Sequence, residues 1–294
     1  MKLEQMMDDY EIGGIGDIKK HTLRFHSYSI GKEDGKLTIY AKYDPSKPPK
    51  VFKSYPSGQE LLIDLCNLNL ELRDKSEEQC AEILIRWSLE NLHPCYYFGD
   101  DVVYAENDKK SPSDHWDFMV NVLGTYYVHV KEFTEELERL YTSTMTVFAI
   151  RKLLDGELTE AQRIYDSVKT SKDNNFIRAW LYREGRYREM AIEEYLDKIP
   201  RLAMKLDYNY ETAQVELRPA INSVIDAAYF ALARFIAVNA NALDDYGGKT
   251  SIAFCEACGK AFIKRGNRQK YCGTIACQSV RNKNKSRDYY YRHK

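Results

Sequence analysis

The chain contains no run of about eighteen apolar residues, the length a membrane-crossing helix needs. The nearest approach, Ala220–Asn239, is interrupted by Asp226 and Arg234 and reads as a core helix. The first residues, Met1-Lys-Leu-Glu-Gln-Met-Met-Asp-Asp, hold no apolar segment of the secretory kind, so a signal peptide is not expected. A phosphate loop, a GxSxG elbow, an HExxH pair and a dinucleotide fingerprint are all missing. Gly13-Gly14-Ile15-Gly16 is glycine-rich but follows no strand. No internal repeat of about twenty to fifty residues and no sustained heptad pattern occurs, which excludes solenoids and long coiled coils. Histidine is scarce at six, and His21 and His26 lie five apart on a strand pattern, on opposite faces. Proline is also scarce. Four of its eight copies fall between Asp44 and Gly58, which marks that stretch as a semi-rigid connector.

What is present suits a folded protein of 294 residues, 44% hydrophobic and 30% charged. The expected class is α+β, mainly α: an N-terminal β-hairpin, a helical body and a C-terminal treble-clef zinc module. Residues 1–56 take the hairpin region and connector, 57–246 the body and 247–294 the zinc module. The hairpin is expected from His21 to Tyr43. Leu37, Ile39 and Ala41 alternate with polar neighbours, and Glu33-Asp34-Gly35-Lys36 forms the turn. Helical spacing of leucine and isoleucine then predicts helices over Gly58–Arg73 and Glu77–Leu92. A short strand is expected at Val102–Tyr104.

A long helix is expected from Asp114 to about Thr142, striped by Phe118, Val122, Tyr126, Phe133, Leu137 and Tyr141, with His129 in the gap. Separate helices follow over Val147–Leu154, Thr159–Val168 and Phe176–Leu196. Pro219 is expected to open the most apolar helix, at the centre of the body. A hinge is expected at Gly247-Gly248.

Seven cysteines are present. Cys66, Cys80 and Cys95 are scattered and read as small buried hydrophobes. The other four form the pattern Cys255-x2-Cys258-x13-Cys272-x4-Cys277. Two close thiol pairs at this spacing, in a chain expected to be cytoplasmic and reducing, predict one Zn²⁺ held by all four. Four Cys ligands leave no open coordination position, so the ion is expected to be structural. Ser251–Phe254 reads as a strand, Cys255–Gly259 as a knuckle and Ala261–Ile263 as a returning strand, followed by a helix carrying Cys277. Knuckle, hairpin and helix in that order are the treble-clef arrangement.

The charge is lopsided. From Lys249 onward there are twelve Lys/Arg against two acids, Glu256 and Asp288; upstream there are thirty-one against forty-two. A basic tail on an acidic body points to an anionic partner. Lys264, Arg265, Arg268, Lys270, Arg281, Lys283, Lys285, Arg287 and Arg292 are the expected nucleic-acid contacts, beside the aromatic run Tyr289-Tyr290-Tyr291. DNA is placed ahead of RNA, with no membrane partner. The body is left to bind a protein or small effector. A second reading makes the zinc module a docking surface, for other proteins or for the acidic body itself.

Two family patterns are touched. Cys255-x2-Cys258-Gly-Lys-Ala-Phe262, Tyr271-Cys272-x4-Cys277 and Arg281-x-Lys283-x-Lys285-x-Arg287 resemble the CGNR-type zinc fingers of bacterial transcription-regulator proteins. The resemblance covers about forty residues. It implies a helical or mixed N-terminal domain joined to a DNA-binding finger. Gln278-Ser279-Val280 stands where that family has Gly-Asn-Arg. Arg86-x6-His93 also fits the loose Arg-His spacing of helical HEPN-type ribonucleases, a pattern expected about once by chance in a chain of this composition.

Overall fold

The computed structural model describes residues 25–42, 58–91, 94, 127–154, 157–166, 204–209, 213–219, 223–241, 252–263 and 269–292. The expected lead-in at 1–20, the proline connector, the Val102–Tyr104 strand, the Phe176–Leu196 helix and the Gly247-Gly248 hinge lie outside these residues. The described part is mostly helical, with a small antiparallel β-hairpin at its N-terminal end and a cysteine cluster at its C-terminal end.

Strands β1 (Ser27–Glu33) and β2 (Lys36–Lys42) pair antiparallel, with Glu33 opposite Lys36. Asp34 and Gly35 both take positive φ, the double left-handed turn that suits the twist of a two-residue hairpin. Ile39 and Ala41 are buried and Leu37 half-buried, as the alternation predicts. A third strand, β3 (Tyr127–His129), adds to β2 and places Val128 opposite Ile39. The sheet order is β1-β2-β3.

Helices α1 (Gly58–Leu72) and α2 (Glu77–Glu90) lie close to their expected bounds. Asp74, at φ +61, follows α1, and Ser76 starts α2 with a reciprocal capping box to Gln79. Trp87 donates to Asp64 at 3.0 Å and ties α2 to α1.

The long helix is displaced from its expected position. Helix α3 runs from Val130 to Leu154, without a break near Thr142–Thr146. The first part of the expected helix, 114–126, lies outside the described residues; Tyr127–His129 form strand β3, so His129 is a strand residue and not part of a helical stripe. Its Nδ1 lies 2.9 Å from the Thr38 hydroxyl, in a sheet hydrogen bond. Across the expected break the Thr144 and Thr146 hydroxyls each donate to the carbonyl four residues back, at 2.8 Å, so these polar groups are satisfied within the helix. Glu138 accepts from Asn69 (2.6 Å) and Arg73 (3.0 Å), and Arg73 lies 4.4 Å over the Tyr141 ring, clasping α3 to α1. Helix α4 (Leu158–Asp166) follows.

A second hairpin, unforeseen from sequence, pairs β4 (Met204–Asn209) with β5 (Gln214–Pro219). Leu206 pairs with Leu217 and Tyr208 with Val215 in its register. Pro219 therefore ends a strand and does not open a helix. The apolar helix α5 (Val224–Asn241) begins five residues later. The Ser223 hydroxyl caps it, accepting from the Asp226 N–H at 3.1 Å. Val224, Ile225, Ala227, Ala228, Tyr229, Ala231 and Leu232 are all buried, which confirms its central place. The C-terminal elements are β6 (Ile252–Phe254), β7 (Ala261–Ile263) and α6 (Ile275–Arg292).

Leu65, Leu84, Leu137, Leu140 and Leu232 are fully buried in one core shared by α1, α2, α3 and α5. Leu140→Ala is expected to lower the unfolding free energy by about 2–5 kcal/mol, measured by denaturant titration. Leu206→Ala, at a side chain 73% exposed on β4, is expected to change it by less than about 0.5 kcal/mol.

Candidate metal centre

Strand β6 delivers Phe254 into the body and the next residue, Cys255, into a separate buried cluster with Phe262 and Cys277. The chain then turns back at once. Cys255 N–H donates to the Lys260 carbonyl and Gly259 N–H to the Cys255 carbonyl, both at 2.9 Å. Gly259 takes φ +71 in open space, so backbone conformation favours glycine there and crowding does not. The second limb is tied to this knuckle by Glu256 N–H to the Lys270 carbonyl and by the Lys270–Glu256 ion pair, each at 3.0 Å. Thr274 starts α6, its carbonyl accepting from Gln278 N–H at 2.9 Å. Cys277 lies in the first turn of that helix.

The Sγ atoms of Cys255, Cys258, Cys272 and Cys277 all lie within 4.8 Å of one another, and those of Cys258 and Cys272 are 3.8 Å apart. All four are free thiols. A disulfide would bring two sulfurs to about 2.05 Å. Tetrahedral thiolate coordination with metal–sulfur bonds of about 2.3 Å spaces them about 3.8 Å apart. The donor set therefore fits a metal ion.

Burial pushes the Cys272 thiol up, but hydrogen bonds to the Thr274 hydroxyl and backbone N–H, and to Cys277 and Cys255, bring it down to about 6. Burial, together with hydrogen bonds to the neighbouring thiols, pushes Cys258 up to about 12. A four-coordinate ion on these donors would keep no open position.

The cluster is fastened to the body. Asn67, on α1, uses its whole amide on one residue of β7: its Oδ1 accepts from Ala261 N–H at 2.9 Å and its Nδ2 donates to the Ala261 carbonyl at 3.1 Å. Phe254 meets Phe148 of α3 edge-on, with centroids 5.3 Å apart. Ile252, Phe254 and Ala261 belong to the body's core. On α4, the Glu160 carboxyl is held below its usual range chiefly by its hydrogen bond to Arg163, and Lys270 adds to the effect.

Lys264, Arg265 and Arg268 lie outside the described residues. Lys270 pairs with Glu256. Arg281, Lys283, Lys285, Arg287 and Arg292 are exposed along α6, and Arg281 donates to Gln278 at 3.1 Å. Asn284 donates to the Tyr271 hydroxyl at 3.3 Å and seats the middle of α6 on the second limb. Arg86 pairs with Glu71 across α1 and α2, while His93 lies outside the described residues. Cys66 and Cys80 are buried in the body, and burial pushes the Cys66 thiol up to about 12. Cys95 lies outside the described residues.

Sequence reasoning missed Asn67, Phe148 and Thr274. Only Asn67 carried a signal: an amide set among Leu65, Leu68 and Leu70 on an otherwise apolar helix. Comparison of the chain with family models, curated proteins and solved structures finds no match. Among the described residues no helix is long and apolar enough to cross a membrane.

Asn67→Ala removes both partners of Ala261 at a half-buried junction. The expected loss is about 1–3 kcal/mol of unfolding free energy by denaturant titration, with the metal content per chain unchanged.

Proposed function

We propose that the chain is a zinc-containing nucleic-acid-binding protein in which one structural Zn²⁺, held by Cys255, Cys258, Cys272 and Cys277, organises a basic helix. Sulfur-only donors favour zinc among the common tetrahedral ions, and the strand-knuckle-strand-helix order from β6 to α6 supports a treble clef. The observation that carries the functional reading is the state of α6. Arg281, Lys283, Lys285, Arg287 and Arg292 are exposed, and among the described residues none of them forms an ion pair. Cations left in this state bind phosphates and release counterions.

The resemblance to CGNR-type fingers adds a layout in which a helical body senses an effector or partner and the finger meets DNA ahead of RNA. That layout suits a cytoplasmic transcription regulator. A second reading, in which the zinc module serves as a docking piece for its own body, is favoured by the Asn67 clamp on Ala261. The two are compatible, since the clamp leaves α6 exposed. For an enzyme such as a HEPN-like ribonuclease, the sole support is the spacing of Arg86 and His93.

Two measurements test the proposal. Protein purified without chelator is expected to carry one zinc per chain by elemental analysis, and loss of that zinc on Cys258→Ser is expected to lower the melting temperature of the whole chain. Affinity for DNA and RNA should fall steeply as salt rises. Joint Arg281→Glu, Lys285→Glu and Arg287→Glu replacement should flatten the log–log slope by about 0.9 for each phosphate that the protein then fails to neutralise. Absence of binding at low salt by the zinc-loaded protein would refute the nucleic-acid reading.

A further inference from the structure

The last two turns of α6 hold three consecutive tyrosines, Tyr289, Tyr290 and Tyr291, exposed by 67%, 55% and 72%. Tyrosine is a middling helix former, and apolar rings left in water contribute no burial energy. A solvated helix end has no need of three of them. Cys277 anchors the start of α6 in the metal cluster and Asn284 its middle, whereas Lys285, Ser286, Arg287 and Tyr289–Arg292 are all exposed.

The geometry of the run is informative. Consecutive helix positions are about 100° apart, so the three rings fan over about 200° around the axis and cannot share one flat pocket. The nearest cations follow the same fan. On a helical wheel Tyr289 lies about 40° from Lys285, Tyr290 about 20° from Lys283 and Tyr291 about 40° from Arg287. Each ring therefore has a cation beside it, one turn or two toward the metal. Tyr290 and Tyr291 already meet edge-on, with centroids 5.9 Å apart.

A duplex keeps its bases stacked and hides their faces from side chains. An unpaired strand exposes both the base faces and the phosphates between them. Aromatic rings interleaved with cations match that alternation, and such stacking tolerates any sequence because every base has a face.

We infer that the C-terminal end of α6 binds single-stranded nucleic acid, with Tyr289, Tyr290 and Tyr291 stacking on unpaired bases while Lys283, Lys285 and Arg287 contact the intervening phosphates. This rests on the nucleic-acid reading above and narrows its substrate class.

The test uses the full, zinc-loaded chain and fluorescence anisotropy over a salt series. The probes are a labelled dT oligonucleotide of about twelve nucleotides, the matching rU oligonucleotide and a duplex DNA of equal length. Both single strands, or one of them, should bind at least about tenfold tighter than the duplex; which of the two binds more tightly identifies DNA or RNA as the source. Tyr289→Ala and Tyr291→Ala should each weaken single-strand binding by about five- to a hundredfold, leaving the salt slope and the zinc content unchanged. Tyr289→Phe and Tyr291→Phe keep the ring and should bind as the parent does. These side chains are exposed, so helix content by circular dichroism should be unaltered in all four variants.

Equal or tighter duplex binding, or single-strand binding indifferent to the alanine changes, overturns this inference and leaves the nucleic-acid reading standing. Failure to bind any of the three probes at low salt overturns both. Binding to phosphatidylglycerol vesicles in place of every oligonucleotide also overturns both, and assigns the helix to an anionic lipid surface.

Discussion

Neighbouring residues at the end of one short strand serve two different cores. Ile252 and Phe254 point into the helical body, and Cys255 opens the sulfur cluster. A pair of three-residue strands is too small to hold itself together in water. Here β6 and β7 are fixed from both ends, by four sulfurs on one side and by Phe148 and Asn67 on the other. The position of α6 follows from this arrangement. Cys277 lies in its first turn and is buried against Cys255 and Phe262, so the direction in which the helix leaves the protein is set by the cluster.

The cluster was legible in the sequence because its chemistry is local. Thiol pairs at x2 and x4 spacing, with glycine at the knuckle, need no knowledge of the rest of the chain. The β1–β2 turn at Asp34-Gly35 and the apolar run of α5 were legible for the same reason: a turn demands particular residue types, and a helix buried all round has an unmistakable composition. What failed depended on partners distant in sequence. Strand β3 exists because β2 offers it an edge far away in sequence, with Val128 meeting Ile39 and His129 meeting Thr38. The Tyr-Val-His segment can be drawn on a helical wheel as readily as on a strand, and the wheel prevailed because strong helical spacing followed it. Similarly, the threonines of α3 look like a break until their hydroxyls are seen bonded to the preceding turn. Asn67 exposes the same limit. An amide among leucines marks a buried polar contact, but nothing local says that its partner is Ala261, far along the chain.

The manner of docking bears on what the basic segment is for. The body is acidic and the C-terminal segment basic, so the simplest use of the charge would be to hold the two together. The packed and hydrogen-bonded contacts described at the junction are instead neutral: an aromatic edge, an amide on a peptide group, and buried Ile252, Phe254 and Ala261, while Lys270 acts on Glu160 of α4 only through its field. Salt does little to contacts of this kind, because there is no pair of charges to screen. Lys270 is taken up by Glu256 inside the module, and the cations of α6 stay in water. An attachment carried mainly by neutral contacts loosens less as ionic strength rises than a charged dock would. It also keeps like-signed side chains within one rigid segment, where their mutual repulsion is relieved only when an anion arrives. Neutral packing at the base, with exposed cations and rings along α6, is the arrangement on which the proposed contact with a polyanion would draw.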